Sequence, residues 1–328
     1  MGKKQSKVQH SAPPPEAVQD FVEDAEEVER CVSETYGNLL SPPKLLWSVC
    51  RCDGKTDNAD LVPTDCAFLP NGHLLVTNMN KQRPCLEVYD QMGKLVRKIG
   101  HDIFKPKNVM ITKKGTIAVT DCRDKNVKFF TPEGKLIDQW KAKKFNFPCG
   151  IGETKDGKFV IADSDANSVT LHNRQGELVG KLNPKLAGHK NFKYPCYVVV
   201  DKKNNIIFSD SGNHCVHVYM GHNLLHLRQI NTYEHNDWEA NTNPNGICTD
   251  WYDNIIIADW INRDRMVSLC TRDGEVLTLL HKDEVQSPHG VAFDTNSGRL
   301  AVAEYSSVPN LKPCLKVFQM YKYLPKHH

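Results

Sequence analysis

Apolar residues along this chain fall in short runs, and the runs recur at a fixed interval. Pro63, Pro106, Pro148, Pro195, Pro244 and Pro288 each open the same pattern, at spacings of 43, 42, 47, 49 and 44 residues. A short apolar run follows each proline, as in Val109-Met110-Ile111 or Val198-Val199-Val200. Next comes a turn that tolerates positive φ: Asn71-Gly72, Lys114-Gly115, Asp156-Gly157, Asn204-Asn205, Asp253-Asn254 and Ser297-Gly298. A second apolar strand is then expected at 74–77, 116–120, 159–162, 206–209, 255–258 and 300–303. It ends on Asn78, Asp121, Asp163, Asp210, Asp259 and Glu304 in turn. A third strand alternates polar and apolar residues, as in Val216-His217-Val218-Tyr219, and a turn, with glycine in most repeats, leads to a fourth such as Leu95–Ile99. Inner strands buried on both faces read as continuous apolar runs, and half-exposed outer strands alternate. Four strands in each repeat of about 45 residues predict propeller blades rather than a helical solenoid.

The ends of the pattern fit one another. The sixth repeat stops after its third strand, Leu315–Met320, and Leu45-Leu46-Trp47-Ser48-Val49 supplies an outer-strand pattern upstream of the first. Pairing the two closes the ring and removes a bare sheet edge. The reading is therefore all-β: a six-bladed propeller over 44–320, closed by an N-terminal strand. A basic, proline-containing arm (1–15) and an acidic helix (16–37) precede it, and a tail (321–328) follows.

Asp210-Ser211-Gly212-Asn213-His214, Asp163-Ser164, Pro244-Asn245-Gly246 and Pro288-His289-Gly290 resemble the repeat of the NHL family, which reads P-x-G, strand, turn, then V-x-D-S and N-x-R. The resemblance covers about residues 44–320 and implies a six-bladed propeller. The family's arginine before the third strand is mostly replaced, by Cys85, Asn126, Ser168, Cys215 and Cys314, and only Arg265 keeps it.

Composition changes the picture little. The chain has 328 residues, 25% charged and 40% hydrophobic, ordinary for a globular protein. No apolar run approaches the ~18 residues of a membrane-spanning helix, and the N-terminus lacks the apolar core of a secretory signal. Twelve cysteines are present without a C-x-x-C. In an intracellular protein they are expected to be reduced. Cysteines that recur by blade position (Cys85, Cys215 and Cys314; Cys149 and Cys196; Cys66 and Cys248) read as small buried packing groups. The net charge of +3 hides an uneven distribution: three lysines in residues 1–7, eight acids against Arg30 in 16–34, and +7 over 35–328.

Met1-Gly2-Lys3-Lys4-Gln5-Ser6-Lys7 matches the N-myristoylation pattern M-G-x-x-x-[ST]. Gly2 would be acylated, with Ser6 and Lys7 completing the motif. One acyl chain holds a protein only marginally. Lys3, Lys4 and Lys7 would each add ~1 kcal/mol against anionic lipid. Behind Pro13-Pro14-Pro15, the residues Val18, Phe21, Val22, Ala25, Val28, Val32 and Tyr36 fall at helical spacing among acids. This amphipathic helix should dock on protein, either the propeller itself or a partner.

Propeller function sits in loops at one end of the channel. Loops between second and third strands bring Lys81, Arg83, Arg123, Lys125, Arg263 and Arg265, those leading into the blades bring Lys105, Lys107 and His289, and Trp260 and Tyr305 are the nearby aromatics. The long segment 231–242 adds Trp238 as a further partner-contact candidate. Cations and aromatics together suit single-stranded RNA, which some NHL propellers bind. The recurring acids are expected to accept backbone N–H bonds in the following turn rather than hold cations. Propeller lyases place zinc on histidines near the axis, and here only His289 sits in the matching context, the equivalent places holding Lys107, Cys149, Cys196 and Asn245. His214, His217, His222 and His226 crowd one hairpin, but His214 and His217 should face opposite ways. No catalytic residue, metal or cofactor is therefore expected. The favoured reading is a cytoplasmic interaction scaffold, peripherally tethered to membranes through Gly2, that binds a protein partner. An RNA-binding propeller is the alternative, and a propeller lyase or lactonase is the least supported.

Overall fold

The computed structural model describes residues 38–51, 61–100, 103, 105–141, 144–231, 242–260, 266–272, 274–305 and 312–323. The expected arm at 1–15 and the expected helix at 16–37 lie outside them. Six four-stranded antiparallel sheets make up the described chain. The first strand, β1 (Leu39–Val49), precedes the repeats. Blade 1 is β2 (Pro63–Phe68), β3 (Leu74–Asn78), β4 (Cys85–Tyr89) and β5 (Leu95–Ile99). Blade 2 is β6 (Pro106–Ile111), β7 (Ile117–Asp121), β8 (Asn126–Phe130) and β9 (Leu136–Gln139). Blade 3 is β10 (Pro148–Glu153), β11 (Phe159–Asp163), β12 (Ser168–His172) and β13 (Leu178–Lys181). Blade 4 is β14 (Pro195–Val200), β15 (Asn205–Asp210), β16 (Cys215–Met220) and β17 (His226–Asn231). Blade 5 is β18 (Pro244–Thr249), β19 (Ile255–Asp259), β20 (Met266–Cys270) and β21 (Val276–Leu280). Blade 6 joins β22 (Pro288–Asp294), β23 (Arg299–Glu304) and β24 (Cys314–Tyr321) to β1. The protein is a six-bladed β-propeller.

Burial follows the hydrophobic pattern. Every residue of β3, β7, β11, β19 and β23 is buried, whereas β17 alternates toward solvent. Adjacent blades pack face to face. Between blades 2 and 3 the ring of Phe129 lies 5.8 Å from Trp140 and 5.3 Å from Phe159. Each such side chain contributes ~1.5–3 kcal/mol when fully buried. Around the axis the inner strands approach closely. A Cβ on Gly150 would stand 2.6 Å from the Cys196 carbonyl oxygen, and one on Gly290 would stand 2.6 Å from Asp65 Cα. Glycine at those places lets neighbouring strands touch backbone to backbone.

The strand-ending acids tie loops together. Asp121 Oδ1 accepts from Arg123 N (3.0 Å) in the following turn, and also from Lys105 N (3.1 Å) in the loop before its own blade. Asp163 does the same with Ala166 N and Phe147 N, and Asp210 and Asp259 hold Lys193 N and Asn243 N. Thus the local role expected from the repeat is present, and a second, longer-range one is added to it.

The ring closes as the pattern predicts. β1 runs antiparallel to β24 with Leu45 opposite Phe318 and Val49 opposite Leu315. The strand begins at Leu39, ahead of the expected Leu45. One expectation is corrected: Cys50 and Cys314 are not both free thiols but are joined in a disulfide across 264 residues. The pairing of Val49 with Leu315 brings these neighbouring residues together, a proximity invisible in sequence. Cys314 is therefore a covalent clasp rather than a packing group. Cys66, Cys85, Cys215 and Cys248 are buried thiols.

Candidate functional site

Antiparallel pairing puts Pro106, Asp121 and Asn126 on one rung, and the other blades repeat the arrangement. Loops leading into each blade and loops between its second and third strands therefore share one face of the disc, around one end of the channel. The hairpins Asn71-Gly72 and Lys114-Gly115 lie at the opposite end.

Below the loop face the channel is closed by polar residues of the inner strands. Tyr197, on β14, reaches across to blades 1 and 6, where its hydroxyl donates to the Thr64 carbonyl and lies 2.7 Å from His289 Nδ1. His289 Nδ1 is also 2.8 Å from the Thr64 carbonyl, and its Nε2 is 2.9 Å from Lys107 Nζ. Since an ammonium can only donate, Nε2 accepts and Nδ1 carries the ring proton. Burial, then the Lys107 charge, hold this imidazole well below its usual pKa, so it is neutral. Asp65 Oδ2 accepts from Asn108 Nδ2 (2.6 Å) and Val109 N (2.9 Å), and Asn108 Oδ1 accepts from Ile151 N (3.0 Å). Blades 1, 2 and 3 are thereby stitched together in sequence. Burial raises the Asp65 carboxyl to about 8, against the pull of backbone N–H groups and Lys107, so it retains its proton at neutral pH.

A thiol cluster flanks Lys107. Ser164 Oγ donates to the Pro195 carbonyl (2.8 Å) and lies 3.1 Å from Cys149 Sγ, while Cys122 Sγ donates to the Pro148 carbonyl (3.2 Å). A hydrogen bond from Cys122, with Lys107 and Ser164 nearby, lowers the Cys149 pKa against its burial. Burial drives the Cys122 thiol well up. Cys149 is only 2% exposed, so its acidity serves the hydrogen-bond network rather than attack on a solvent-borne substrate. On the far side of the plug, a cavity of about 380 Å³ is lined by Phe68, Ile151, Val198, Ile247 and Val291, with Asp65 at its inner end. Lys113 N donates to Glu153 Oε2 (2.7 Å) beside it.

The predicted residues divide accordingly. Lys81, Arg83 and Arg123 are exposed on the loop face. Lys105 is half-buried, with its ammonium 5.0 Å from the Phe147 ring centre. Lys125 is half-buried in a left-handed turn (φ 57°). Trp260 and Tyr305 are half-buried at the channel mouth, the Tyr305 ring 5.6 Å from His289. Lys107 and His289 lie on inner strands rather than in the entry loops and hydrogen-bond each other inside the channel, Lys107 half-buried and His289 6% exposed. Trp238, Arg263, Arg265, Gly2, Lys3, Lys4, Ser6 and Lys7 lie outside the described residues. Sequence reasoning missed Asp65, Cys122, Ser164 and Tyr197. Asp65 and Tyr197 were signalled by their place in the repeat, two residues after the proline, where Gly150, Gly246 and Gly290 stand in other blades.

Comparison with known proteins supports the fold and only the coarse outline of the repeat. No family model matches the chain. Over 93 residues it is 31% identical to Protein brain tumor of Drosophila melanogaster, a stretch that covers 28% of this chain and 9% of that protein. Among solved structures, it resembles a catalytically inactive virginiamycin B lyase from Staphylococcus aureus with quinupristin. The TM-score is 0.55 and identity 14%, over 84% of this chain and 87% of that one. A streptogramin B lyase matches with TM-score 0.57 at 14% identity, over 87% and 99% of the two chains. A protein of unknown function from Bacteroides thetaiotaomicron matches with TM-score 0.59 at 14% identity, over 86% and 75%. Such identities establish shared architecture alone. No helix among the described residues is long and apolar enough to cross a membrane.

Proposed function

We propose that this propeller is an NHL-type interaction scaffold, held at the cytoplasmic side of a membrane by a myristoylated Gly2 and three nearby lysines, that binds a protein partner on its loop face. The observation behind the reading is the division of labour around the channel. The inner polar residues Asp65, Asn108, Tyr197 and His289 are engaged with one another, whereas Lys81, Arg83 and Arg123 face solvent on the loop side. Exposed cations on a rigid scaffold suit an acidic partner surface. A second reading, single-stranded RNA, draws on the half-buried rings of Trp260 and Tyr305 on the same face as those cations.

Two experiments separate these readings. The triple variant Lys81→Glu/Arg83→Glu/Arg123→Glu should lose a co-purifying protein that Lys114→Glu, at the opposite end, retains. Equal recovery from both would end the loop-face reading. Filter retention of labelled single-stranded RNA at low salt, weakening steeply as salt rises, would instead favour RNA. Metabolic labelling with a myristate analogue should mark the wild type and not Gly2→Ala, and an unlabelled wild type removes the tether.

A further inference from the structure

Blade 4 carries a histidine at a third-strand position where two other blades carry lysine. On the third strand, the residue opposite the place two before the terminal acid is Lys128 in blade 2 and Lys316 in blade 6. Each supplies a cation to that acid: Lys128 Nζ lies 2.9 Å from Asp121 Oδ2, and Lys316 Nζ lies 2.9 Å from Glu304 Oε2. Blade 4 carries His217 there, opposite Phe208. Its Nε2 stands 3.3 Å from Asp210 Oδ2 and 3.4 Å from Cys215 Sγ, and its buried Nδ1 has no hydrogen-bond partner. Both Cys215 and His217 are 0% exposed. They share a strand face because they are two residues apart.

A third ligand arrives from outside the strand. The long loop after blade 3 makes a 3-10 turn, Pro184–Ala187, capped by Asn183 Oδ1 on Lys185 N and ended by Gly188 at φ 77°. His189 N then donates to the Pro184 carbonyl (3.1 Å). Farther along, Lys193 N donates to Asp210 Oδ1 (2.7 Å), and Phe192 packs 5.0 Å from Phe208 and 5.6 Å from His217. This holds the half-buried His189 ring 5.2 Å from that of His217, with its Nε2 2.8 Å from Gln229 Oε1. A ring nitrogen of each histidine and Cys215 Sγ all lie within 4.8 Å of one another.

We propose that His189, Cys215 and His217, with the Asp210 carboxylate beside them, form a binding site for a zinc-class divalent cation on the rim of blade 4. The donor set is the one borderline-soft cations select. With Zn–S near ~2.3 Å and Zn–N near ~2.0 Å, two tetrahedral ligands sit roughly 3.5 Å apart. The 3.4 Å between Cys215 Sγ and His217 Nε2 therefore fits a shared ion. Charge fits too. A divalent ion, the Cys215 thiolate and the Asp210 carboxylate sum to zero in a buried site. On binding, the Cys215 thiol gives its proton to solvent, the sulfur–metal bond forms, and both histidines bind as neutral rings. The ion would clamp the 182–194 loop onto the blade and shape the loop face there.

The full chain, stripped with chelator and titrated with Co²⁺, tests this. One equivalent should give tetrahedral d–d bands and a thiolate charge-transfer band, both displaced by Zn²⁺. Cys215→Ser should lose the charge-transfer band. His189→Ala, a change at a half-buried loop residue, should lose the tetrahedral spectrum while leaving the apo fold intact. Asp210→Asn should weaken binding ~10–100-fold, the usual effect of a residue that supports metal ligands. Zn²⁺ should raise the melting temperature of the wild type and not of His189→Ala, which decides the matter even if Cys215→Ser fails to fold. A wild type without a tetrahedral cobalt spectrum, a His189→Ala protein that keeps it, or a charge-transfer band that survives Cys215→Ser overturns the site.

Discussion

Asp65 and Tyr197 occupy a position that three other blades leave to glycine, and what they do there is measurable. The Asp65 carboxyl rises from an ordinary 3.8 to about 8 on folding, so the folded state keeps a proton that the unfolded chain has released. Stability from this group is complete below the unfolded pKa and is lost as pH climbs through the folded one. The loss should approach ~1.4 kcal/mol per pH unit between about pH 4 and 8. Urea midpoints of the wild type should therefore fall across that window relative to Asp65→Asn, whose amide cannot ionise. Parallel profiles would show that the carboxyl is not held protonated. Tyr197→Phe removes the hydroxyl bonded to Thr64 and His289, and should cost ~1–3 kcal/mol for the groups left unsatisfied. At this scale the sequence was least legible. That Lys107 and His289 meet inside the channel was not readable, because a repeat shows which rung a residue occupies, not how far its side chain reaches across the axis.

Within a blade, the polar position on the third strand is a second point of control. In blade 2 Lys128 is 2% exposed and bridges Asp121 and Asp124. Lys128→Met should destabilise by about 3–5 kcal/mol, the usual consequence of leaving a buried charge without its partner. The double variant Lys128→Met/Asp121→Asn should recover part of this in chemical unfolding, and purely additive losses would refute coupling between the pair. Elements themselves were readable from sequence. The six prolines, the turn residues and the apolar runs each fall where the strands do, because burial on two faces demands an uninterrupted apolar run and burial on one demands alternation. The metal-ligand triad was not readable. Cys215 and His217 announce themselves by their i, i+2 spacing, but His189 meets them only through the fold of a loop whose pattern specifies no geometry. The histidines crowding the β16–β17 hairpin, whose side chains were expected to diverge rather than share a metal, do not include His189.

For the whole disc, closure is the dominant fact. β1 supplies the outermost strand of blade 6, and the Cys50–Cys314 bond spans 264 residues. A cross-link closing so long a loop limits the unfolded chain on the order of 5–6 kcal/mol in the loop-entropy account. Reduction, or Cys50→Ser/Cys314→Ser, should lower the melting temperature without changing the β-rich circular dichroism, since the β1–β24 backbone pairs remain. A melting temperature indifferent to reductant would show that the strand alone sets closure. The same seam also brings residues 38 and 322–323 into contact: Lys322 N donates to the Asn38 carbonyl (3.0 Å) and Asn38 Nδ2 to the Tyr323 carbonyl (2.7 Å). Whatever is attached before residue 38 and whatever follows residue 323 leave the disc from a single spot on its circumference. A circular permutant with those ends fused and new termini opened at the Asp156-Gly157 hairpin should consequently fold as the same ring. Any anchor attached ahead of residue 38 would therefore join the molecule at its edge rather than at the centre of either flat side.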